Sequence, residues 1–211
     1  MFDYSQLSAA LIEGNWESTR ELARAAVDAG ANPQDVIYQA LQPGMDIVGE
    51  RYSSGEYFLP DLLKAARSMN AALEIVRPLI KNEEMLKAGK IVIGTVKGDM
   101  HDIGKNIVAL FLNGVGFEVL DLGTNVSDQR FVDEVRKSKP HILGLSALLT
   151  TTMYKFGDVI QLLTKEDLRS QVKVIVGGAT ITAEFAKRMG ADAYARDGGE
   201  AIKVCKQLLL T

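Results

Sequence analysis

The sequence predicts an α + α/β chain, with a helical bundle over residues 1–85 and a five-stranded parallel α/β domain over residues 86–211. Two observations support this division. Apolar residues recur at helical spacing in the first part, whereas short β-branched apolar runs alternate with helical patterns from Ile91 onward. Such alternation indicates a parallel sheet that helices cover on both faces. The charged run Lys81–Lys90 has no apolar rhythm and is the expected linker.

The N-terminal part carries the start and stop signals of four or five short helices. Asn15 and Asn32 are expected N-caps, and Pro33 follows the second of them at the first helical position. Pro43 should break or kink the next helix. Short helices of this number in about 80 residues are typical of a small bundle.

A longer helix is predicted from about Leu59 to Val76, with Pro60 in its first turn and Pro78 ending or kinking its last turn. Its buried face should consist of apolar residues at helical spacing. These residues are Leu62, Leu63, Ala66, Met69 and Leu73.

The C-terminal part contains five predicted strands. They are Ile91–Val96, Phe117–Leu120, His141–Ser146, Lys173–Val176 and Ala193–Ala195. Helices are expected at about 104–113, 128–137, from about 152, near 182, and at about 200–209. Five such units fit the flavodoxin-like, Rossmann-like strand order 2-1-3-4-5. A ligand should then bind outside the carboxyl ends of the strands, where the chain reverses direction between strands 1 and 3.

Composition excludes several classes of partner and compartment. Acidic residues outnumber basic ones by 27 to 24, and no run of Lys and Arg stands out, so neither nucleic acid nor a membrane surface is an expected partner. Cys205 is the only cysteine, which rules out an internal disulfide and favours a reducing, cytoplasmic setting. The N-terminus has no signal-peptide pattern, and no apolar run is long enough to cross a bilayer.

The loop after the first strand holds the residues best suited to metal binding. His101 stands two residues from Asp99, whose carboxylate could accept a hydrogen bond from one imidazole nitrogen and fix the tautomer. A lone loop histidine is also common as a surface or capping residue. With two histidines and one cysteine, a four-ligand zinc site is hard to assemble. A single-histidine site instead indicates a metal held by a macrocycle, such as haem or a corrinoid.

Two further segments lie at the same expected edge of the sheet. Ser146–Thr152 follows the third strand, and Gly177-Gly178 follows the fourth. The glycine pair either lets the backbone approach a bulky ligand or forms a tight turn at a strand end. The first loop does not match a phosphate-binding or dinucleotide-binding glycine motif. The third strand ends without the aspartate that a phosphoreceiver domain requires.

Three spaced motifs carry a family resemblance: Asp99-x-His101-x-x-Gly104, Ser146-x-Leu148 and Gly177-Gly178. Together they are similar to the signature of cobalamin-binding domains. The longer segments Gly98–Asn106 and Val176–Thr180 closely resemble the methyltransferase branch of these domains. The stretch from Val48 to Pro60 resembles the helical cap of cobalamin-dependent methionine synthase and of small corrinoid proteins.

The resemblance implies a role for each matching residue. His101 would be the lower axial ligand of cobalt, in place of the cofactor's own dimethylbenzimidazole (the base-off, His-on form). Asp99 would hold the far imidazole nitrogen, and Thr152 would complete this relay where methionine synthase has a serine. The slot for the displaced nucleotide tail would be lined by Gly104, Ser146, Leu148, Thr150, Gly177 and Gly178.

Further cofactor contacts are expected from residues beside these motifs, namely Gly98, Met100, Asp102, Ile103 and Ala179. Phe58 in the helical cap would shelter the upper face of the corrin ring. The alternative for Phe58 is packing against the helix that Pro60 opens.

The function that the resemblance implies is a corrinoid methyl carrier, loaded as methylcobalamin and without catalytic activity of its own. Its partners would be a substrate-specific methyltransferase, a methyl-acceptor methyltransferase and a reductive activase. The donor would be a methoxylated aromatic, which we favour, or methylamines, methanol or glycine betaine, and the acceptor tetrahydrofolate or coenzyme M. A subunit of an adenosylcobalamin-dependent mutase, which shares the first motif, and a cobalamin-sensing regulator remain the alternatives.

Overall fold

The computed structural model describes residues 2–80 and 88–210, and these fall into two compact units. One comprises Met1–Ala88 with Gly114–Gly116, and the other comprises Gly89–Asn113 with Phe117–Thr211. The boundary predicted between residues 85 and 86 lies outside the described residues, as do residues 81–87 of the predicted linker. The last two residues of that linker, Gly89 and Lys90, belong instead to the first strand. Within the described residues, no helix is both long and apolar enough to cross a bilayer.

The first unit is helical, as predicted. Its α-helices are α1 (Tyr4–Ile12), α2 (Trp16–Asp28), α3 (Pro33–Val36), α4 (Gln42–Ser53) and α5 (Leu59–Val76). Both expected N-caps are confirmed. The Ser18 N–H donates to Asn15 Oδ1 at 3.1 Å, and the Gln34 N–H donates to Asn32 Oδ1 at 3.0 Å. Each cap satisfies one of the backbone donors that the first turn of a helix leaves without a partner.

Pro43 does not break its helix. The chain is helical from residue 33 to residue 53, and Ile37–Leu41 forms a π-helical turn between α3 and α4. Proline lacks an N–H and crowds the carbonyl four residues before it. The predicted interruption therefore takes the form of a locally wider helical turn immediately before Pro43.

Helix α5 has the predicted bounds, and the chain continues past it as the short 3₁₀ turn Arg77–Leu79 around Pro78. Leu62, Met69 and two of the other predicted core residues are buried, but Leu63 is 54% exposed and its placement in the core was wrong. The reason is angular, because Leu63 stands about 100° around the helix from Leu62. The buried stripe runs instead through small residues such as Ala65 and Ala72.

The five strands are β1 (Gly89–Thr95), β2 (Phe117–Asp121), β3 (Ile142–Ser146), β4 (Lys173–Gly177) and β5 (Ala193–Tyr194). They form one parallel sheet in the order β2-β1-β3-β4-β5, which confirms the predicted topology. The remaining helices are α6 (Ile103–Gly114), α7 (Asp128–Ser138), α8 (Lys155–Lys165), α9 (Ala183–Met189) and α10 (Gly198–Leu208). Helix α8 was expected from about Thr152, but residues 152–154 form turns before it.

The register of the sheet brings three strand ends level. Thr95 of β1 pairs with Ser146 of β3, and Ser146 pairs with Gly177 of β4. A core of apolar side chains beneath, including Val92, Leu143 and Val174, is fully buried and fixes this register. The loops that follow the three strands therefore leave the sheet side by side, at the point where the strand order reverses.

Candidate cofactor-binding site

Asp99 is the centre of the hydrogen bonds at this edge, and its side chain is fully buried. Its Oδ1 accepts from the backbone N–H of His101 at 3.0 Å and lies 2.7 Å from His101 Nδ1. Its Oδ2 accepts from the Thr152 hydroxyl at 2.7 Å and from the amides of Leu148 and Leu149 at 2.8 and 3.2 Å. The loop after β3 therefore holds one carboxylate oxygen while the other holds the histidine.

These contacts set the charge of Asp99 and the tautomer of His101. Burial alone would raise the pKa of Asp99, but the hydrogen bonds from the Thr152 hydroxyl, the amides of His101 and Leu148, and the His101 ring outweigh it. The pKa of this carboxyl therefore lies well below its usual range. Because an ionised carboxylate only accepts hydrogen bonds, Nδ1 of the neutral imidazole must donate to it. The lone pair for a metal is then on Nε2.

The His101 side chain is 51% exposed, and it stands among exposed apolar residues. Met100 and Ile103 are 68% and 71% exposed, and Leu149 in the neighbouring loop is 40% exposed. Exposed apolar side chains around a half-exposed imidazole are typical of a surface that a bulky apolar ligand covers.

Asn125 helps to shape this loop and was missed by the sequence analysis. Its Oδ1 accepts from the Gly98 N–H at 2.8 Å, and its own N–H donates to the Asp99 carbonyl at 2.9 Å. Asn125 has a φ of 52° and Gly98 a φ of 85°, in the left-handed region that Asn and Gly tolerate best. The available signal was the turn-forming run Gly123-Thr124-Asn125 after the second strand.

The glycine pair at the end of β4 is required by the protein's own backbone. A Cβ on Gly178, which has a φ of 143°, would stand 1.8 Å from the Ala147 carbonyl oxygen. A Cβ on Gly177 would stand 2.9 Å from the Ala195 carbonyl oxygen. Close packing of neighbouring loops therefore explains both glycines. Gly104 differs from them, because beyond its chain neighbours and its own helix backbone no atom lies within 4 Å of the position that its Cβ would occupy.

The structure places the other predicted contact residues around the same loops. Ser146 is half-buried at the end of β3, while Thr150, Asp102 and Ala179 are exposed. Leu148 joins two of the loops, since its carbonyl accepts from the Thr180 hydroxyl at 3.0 Å. Phe58 belongs to the helical unit, where it precedes α5 and is 66% exposed. That exposure argues against the alternative in which Phe58 packs against the helix.

The chain's other histidine and its cysteine lie away from this site. His141 precedes β3 rather than opening it, so it is at the opposite edge of the sheet, where its Nδ1 accepts from the Lys90 N–H at 3.0 Å. Cys205 is buried in α10, and burial raises the pKa of its thiol to about 12. Among the described residues, no group of three or more His, Cys, Asp or Glu could hold a metal ion.

The residues present fit a corrinoid. A metal with four ligands from its own macrocycle needs one protein nitrogen, and His101 offers one with its tautomer already fixed. The exposed apolar residues beside it suit the flat face of a macrocycle, and the open space at Gly104 leaves room for a ligand.

Thr152 allows a direct test of this network in the apoprotein. Thr152→Val keeps the β-branched shape but removes a hydrogen bond to a buried carboxylate, so the free energy of unfolding should fall by about 1.5–3 kcal/mol. Thr152→Ser keeps the hydroxyl and loses one methyl group, which should cost about 1 kcal/mol or less. Urea unfolding of the two variants measures the difference. Equal losses would show that the hydroxyl does not support Asp99.

Comparison with known proteins agrees with this geometry. Residues 89–205 match the family model "B12 binding domain", and residues 4–77 match a second model of the same description. The chain is 40% identical over 203 residues to trimethylamine corrinoid protein 1 of Methanosarcina mazei, covering 95% of this chain and 94% of that one.

Two crystal structures are also similar. A cobalamin-binding protein from Desulfitobacterium hafniense DCB-2 has a TM-score of 0.85 and 34% identity, and the match covers 99% of each chain. One chain of the methanol:cobalamin methyltransferase complex MtaBC from Methanosarcina barkeri matches with a TM-score of 0.83 and 30% identity, covering 98% of this chain and 79% of that one. With both B12-binding models matched and relatives aligned over nearly their full length, this chain belongs to the corrinoid proteins of methyltransferase systems and takes a corrinoid cofactor.

Proposed function

We propose that this chain is a methyl carrier that binds cobalamin with His101 as the axial ligand and is not catalytic by itself. One methyltransferase would load it, and a second would pass the methyl group to an acceptor such as tetrahydrofolate or coenzyme M. When bound, the corrinoid supplies a nucleophilic cobalt that takes up and releases the methyl group. The observation that carries the proposal is the half-exposed His101, whose Nδ1 contacts the buried Asp99 at 2.7 Å.

In this proposal each part of the network has a task. Asp99 orients the imidazole and keeps its proton on Nδ1, while Thr152 and the Leu148 and Leu149 amides hold Asp99 in place. The loops after β1, β3 and β4 would hold the rest of the cofactor. The residues concerned are Gly98, Met100, Asp102, Ile103, Gly104, Ser146, Leu148, Thr150, Gly177, Gly178 and Ala179.

Phe58 is the residue of the helical unit that we propose to cover the upper face of the corrin. Phe58 is 66% exposed, and the adjacent Leu59 is 38% exposed. Two exposed apolar side chains at a helix start are suited to contact with a large apolar ligand. The cover would have to move aside for cobalt to meet a partner's substrate, so the protein would alternate between covered and docked states.

The methyl donor is proposed to be a small methylated compound that a partner enzyme recognises. Two of the relatives reported above are named for trimethylamine and for methanol, and these names support proposing those donor classes ahead of the methoxylated aromatic that the sequence resemblance favoured. A reductive activase remains part of the proposal, because nucleophilic cobalt is sensitive to oxidation.

Reconstitution tests the carrier function. Cleaving a stable C–N or C–O bond requires a polarising acid or metal at the leaving atom. The reduced, full-length holoprotein mixed with donor alone should therefore show little methylation of the corrinoid. Adding the cognate methyltransferase should accelerate methylation by at least about 100-fold, the lower range of acid–base assistance.

The visible spectrum of the corrinoid follows this reaction, with heat-inactivated methyltransferase as the control. Methylamines, methanol and a methoxylated aromatic, each tried with its own methyltransferase, would identify the donor class. Rapid methylation without any partner would contradict the carrier proposal and make the chain a complete enzyme.

A further inference from the structure

A buried ion pair lies on the other flank of the loop that carries His101. Lys105 is in the first turn of α6, and its side chain is only 1% exposed. Its ammonium donates to Oδ2 of Asp121, the last residue of β2, and to Oδ1 of Asn106 at 2.7 Å. Taking an ammonium out of water is costly unless it is paired, so the position of Lys105 is fixed by these acceptors.

This ion pair continues by hydrogen bonds in both directions. Asp121 Oδ1 accepts from the Gly123 N–H at 2.8 Å, which ties the pair to the loop after β2. The Asn106 side-chain amide donates to Asp102 Oδ2 at 3.2 Å, and the Asn106 backbone N–H donates to the Asp102 carbonyl at 2.8 Å. A connected path thus runs from the end of β2 through Lys105 to Asp102, the residue directly after His101.

His101 therefore lies between two anchors. Before His101 in the chain, Asp99 is tied to the loop after β3. After His101, the hydrogen bonds through Lys105 tie Asp102 to the end of β2. The two strands concerned, β2 and β3, flank β1 on opposite sides. The loop is held from both sides, which restricts the position from which the imidazole can reach a metal.

We propose that Lys105 is a positioning residue for the axial histidine, acting through Asp121 on one side and through Asn106 and Asp102 on the other. This inference rests on the proposed function. It assigns to the ion pair a role beyond stability: it sets how well His101 is placed to bind cobalt. Loss of the pair should shift the equilibrium between the histidine-bound and histidine-free cofactor while cobalamin stays bound through its other contacts.

The test compares Lys105→Met with wild type in the full-length protein reconstituted with cobalamin and reduced to Co(II). With ¹⁵N in the histidine rings, electron paramagnetic resonance gives the ratio of centres with and without coupling to an axial histidine nitrogen. We expect this ratio to fall by about 10–100-fold, the range of changes in groups that orient a metal ligand. Asp121→Asn should shift the ratio in the same direction. Because the Asp121 side chain is 37% exposed, this variant is the second test if Lys105→Met does not fold.

Lys90→Met is the matched control. Lys90 of β1 pairs with Glu118 of β2 at 3.7 Å, near the opposite edge of the sheet from His101. It should leave the ratio unchanged. In the double variant of Lys105→Met with Asp121→Asn, the ratio should fall no further than in Lys105→Met alone, because both changes act on one pair.

A Lys105→Met protein that is less stable to urea but keeps the wild-type ratio would overturn the inference and leave Lys105 as a structural residue only. The same holds if Lys90→Met lowers the ratio as much as Lys105→Met does. Failure of the proposed function looks different, because wild type itself would then show either no axial nitrogen coupling or a coupling that ¹⁵N labelling of its histidines leaves unchanged.

Discussion

Asp99→Asn should weaken the axial bond to cobalt by about 10–100-fold and lower the free energy of unfolding of the apoprotein by about 1–3 kcal/mol. A carboxamide has one accepting oxygen and one donating nitrogen, whereas both oxygens of Asp99 accept in the structure. If the amide nitrogen faces His101, Nδ1 must accept and the proton moves to Nε2, which then cannot bind metal. If the amide nitrogen faces Thr152 instead, it meets the N–H groups of Leu148 and Leu149, so that donors face a donor.

The stability effect should depend on pH in a defined direction. The pKa of Asp99 is lowered in the folded protein, so its contribution to stability is fully present above the ordinary carboxyl value of 3.8. That contribution is lost as the pH falls from there through the lowered pKa. The difference in unfolding free energy between wild type and Asp99→Asn should therefore be constant from neutral pH to about 4 and shrink below it.

Urea unfolding at several pH values measures this difference. Asp158→Asn is the control, because Asp158 pairs with Lys155 at the surface and its loss should change stability by less than about 0.5 kcal/mol. An Asp99→Asn protein as stable as wild type at neutral pH would contradict the network described for Asp99.

His101→Ala should have the largest effect on function. Removing the only protein nitrogen proposed to bind cobalt should abolish axial coupling to a histidine nitrogen. It should also slow methyl transfer from the partner by more than about 100-fold, beyond the effect of changing a group that only orients the ligand. Cobalamin should still bind through the loops after β3 and β4. His141→Ala removes the chain's other histidine, at the opposite edge of the sheet, and is the natural control.

Both variants are compared in the same reconstituted system, with bound cobalamin measured by absorbance after gel filtration. In protein with ¹⁵N-labelled histidine, coupling to ¹⁵N that survives in His101→Ala, or that disappears in His141→Ala, would move the axial ligand away from His101.

Local sequence signals predicted the elements that depend on local chemistry. Asn15, Asn32 and the alternation of apolar strands identified the helix starts and the sheet because caps and burial patterns are set by nearby residues. Local signals did not predict burial where the packing of neighbouring elements decides it. Leu63 fitted the helical rhythm, yet the packing of the other helices determined which face of α5 is buried.

The prediction of the cofactor-binding site from the sequence has the same limit. The spacing of Asp99 and His101 indicated a carboxylate–imidazole pair, but it could not reveal that the Leu148 and Leu149 amides complete the shell around Asp99. Those contacts join residues about fifty positions apart and exist only because β1 and β3 are neighbours. Asn125 and the Lys105–Asp121 pair depend in the same way on the position of the loop after β2.

The most direct test of the central claim is isotope labelling of histidine. Full-length protein with ¹⁵N in its histidine rings is reconstituted with unlabelled cobalamin, reduced to Co(II), and studied by electron paramagnetic resonance. If His101 is the axial ligand, the triplet nitrogen splitting of unlabelled protein should become a doublet, and the doublet should persist in His141→Ala. A splitting that labelling leaves unchanged, or a spectrum without axial nitrogen splitting, would contradict the assignment of His101 as the residue that binds cobalt.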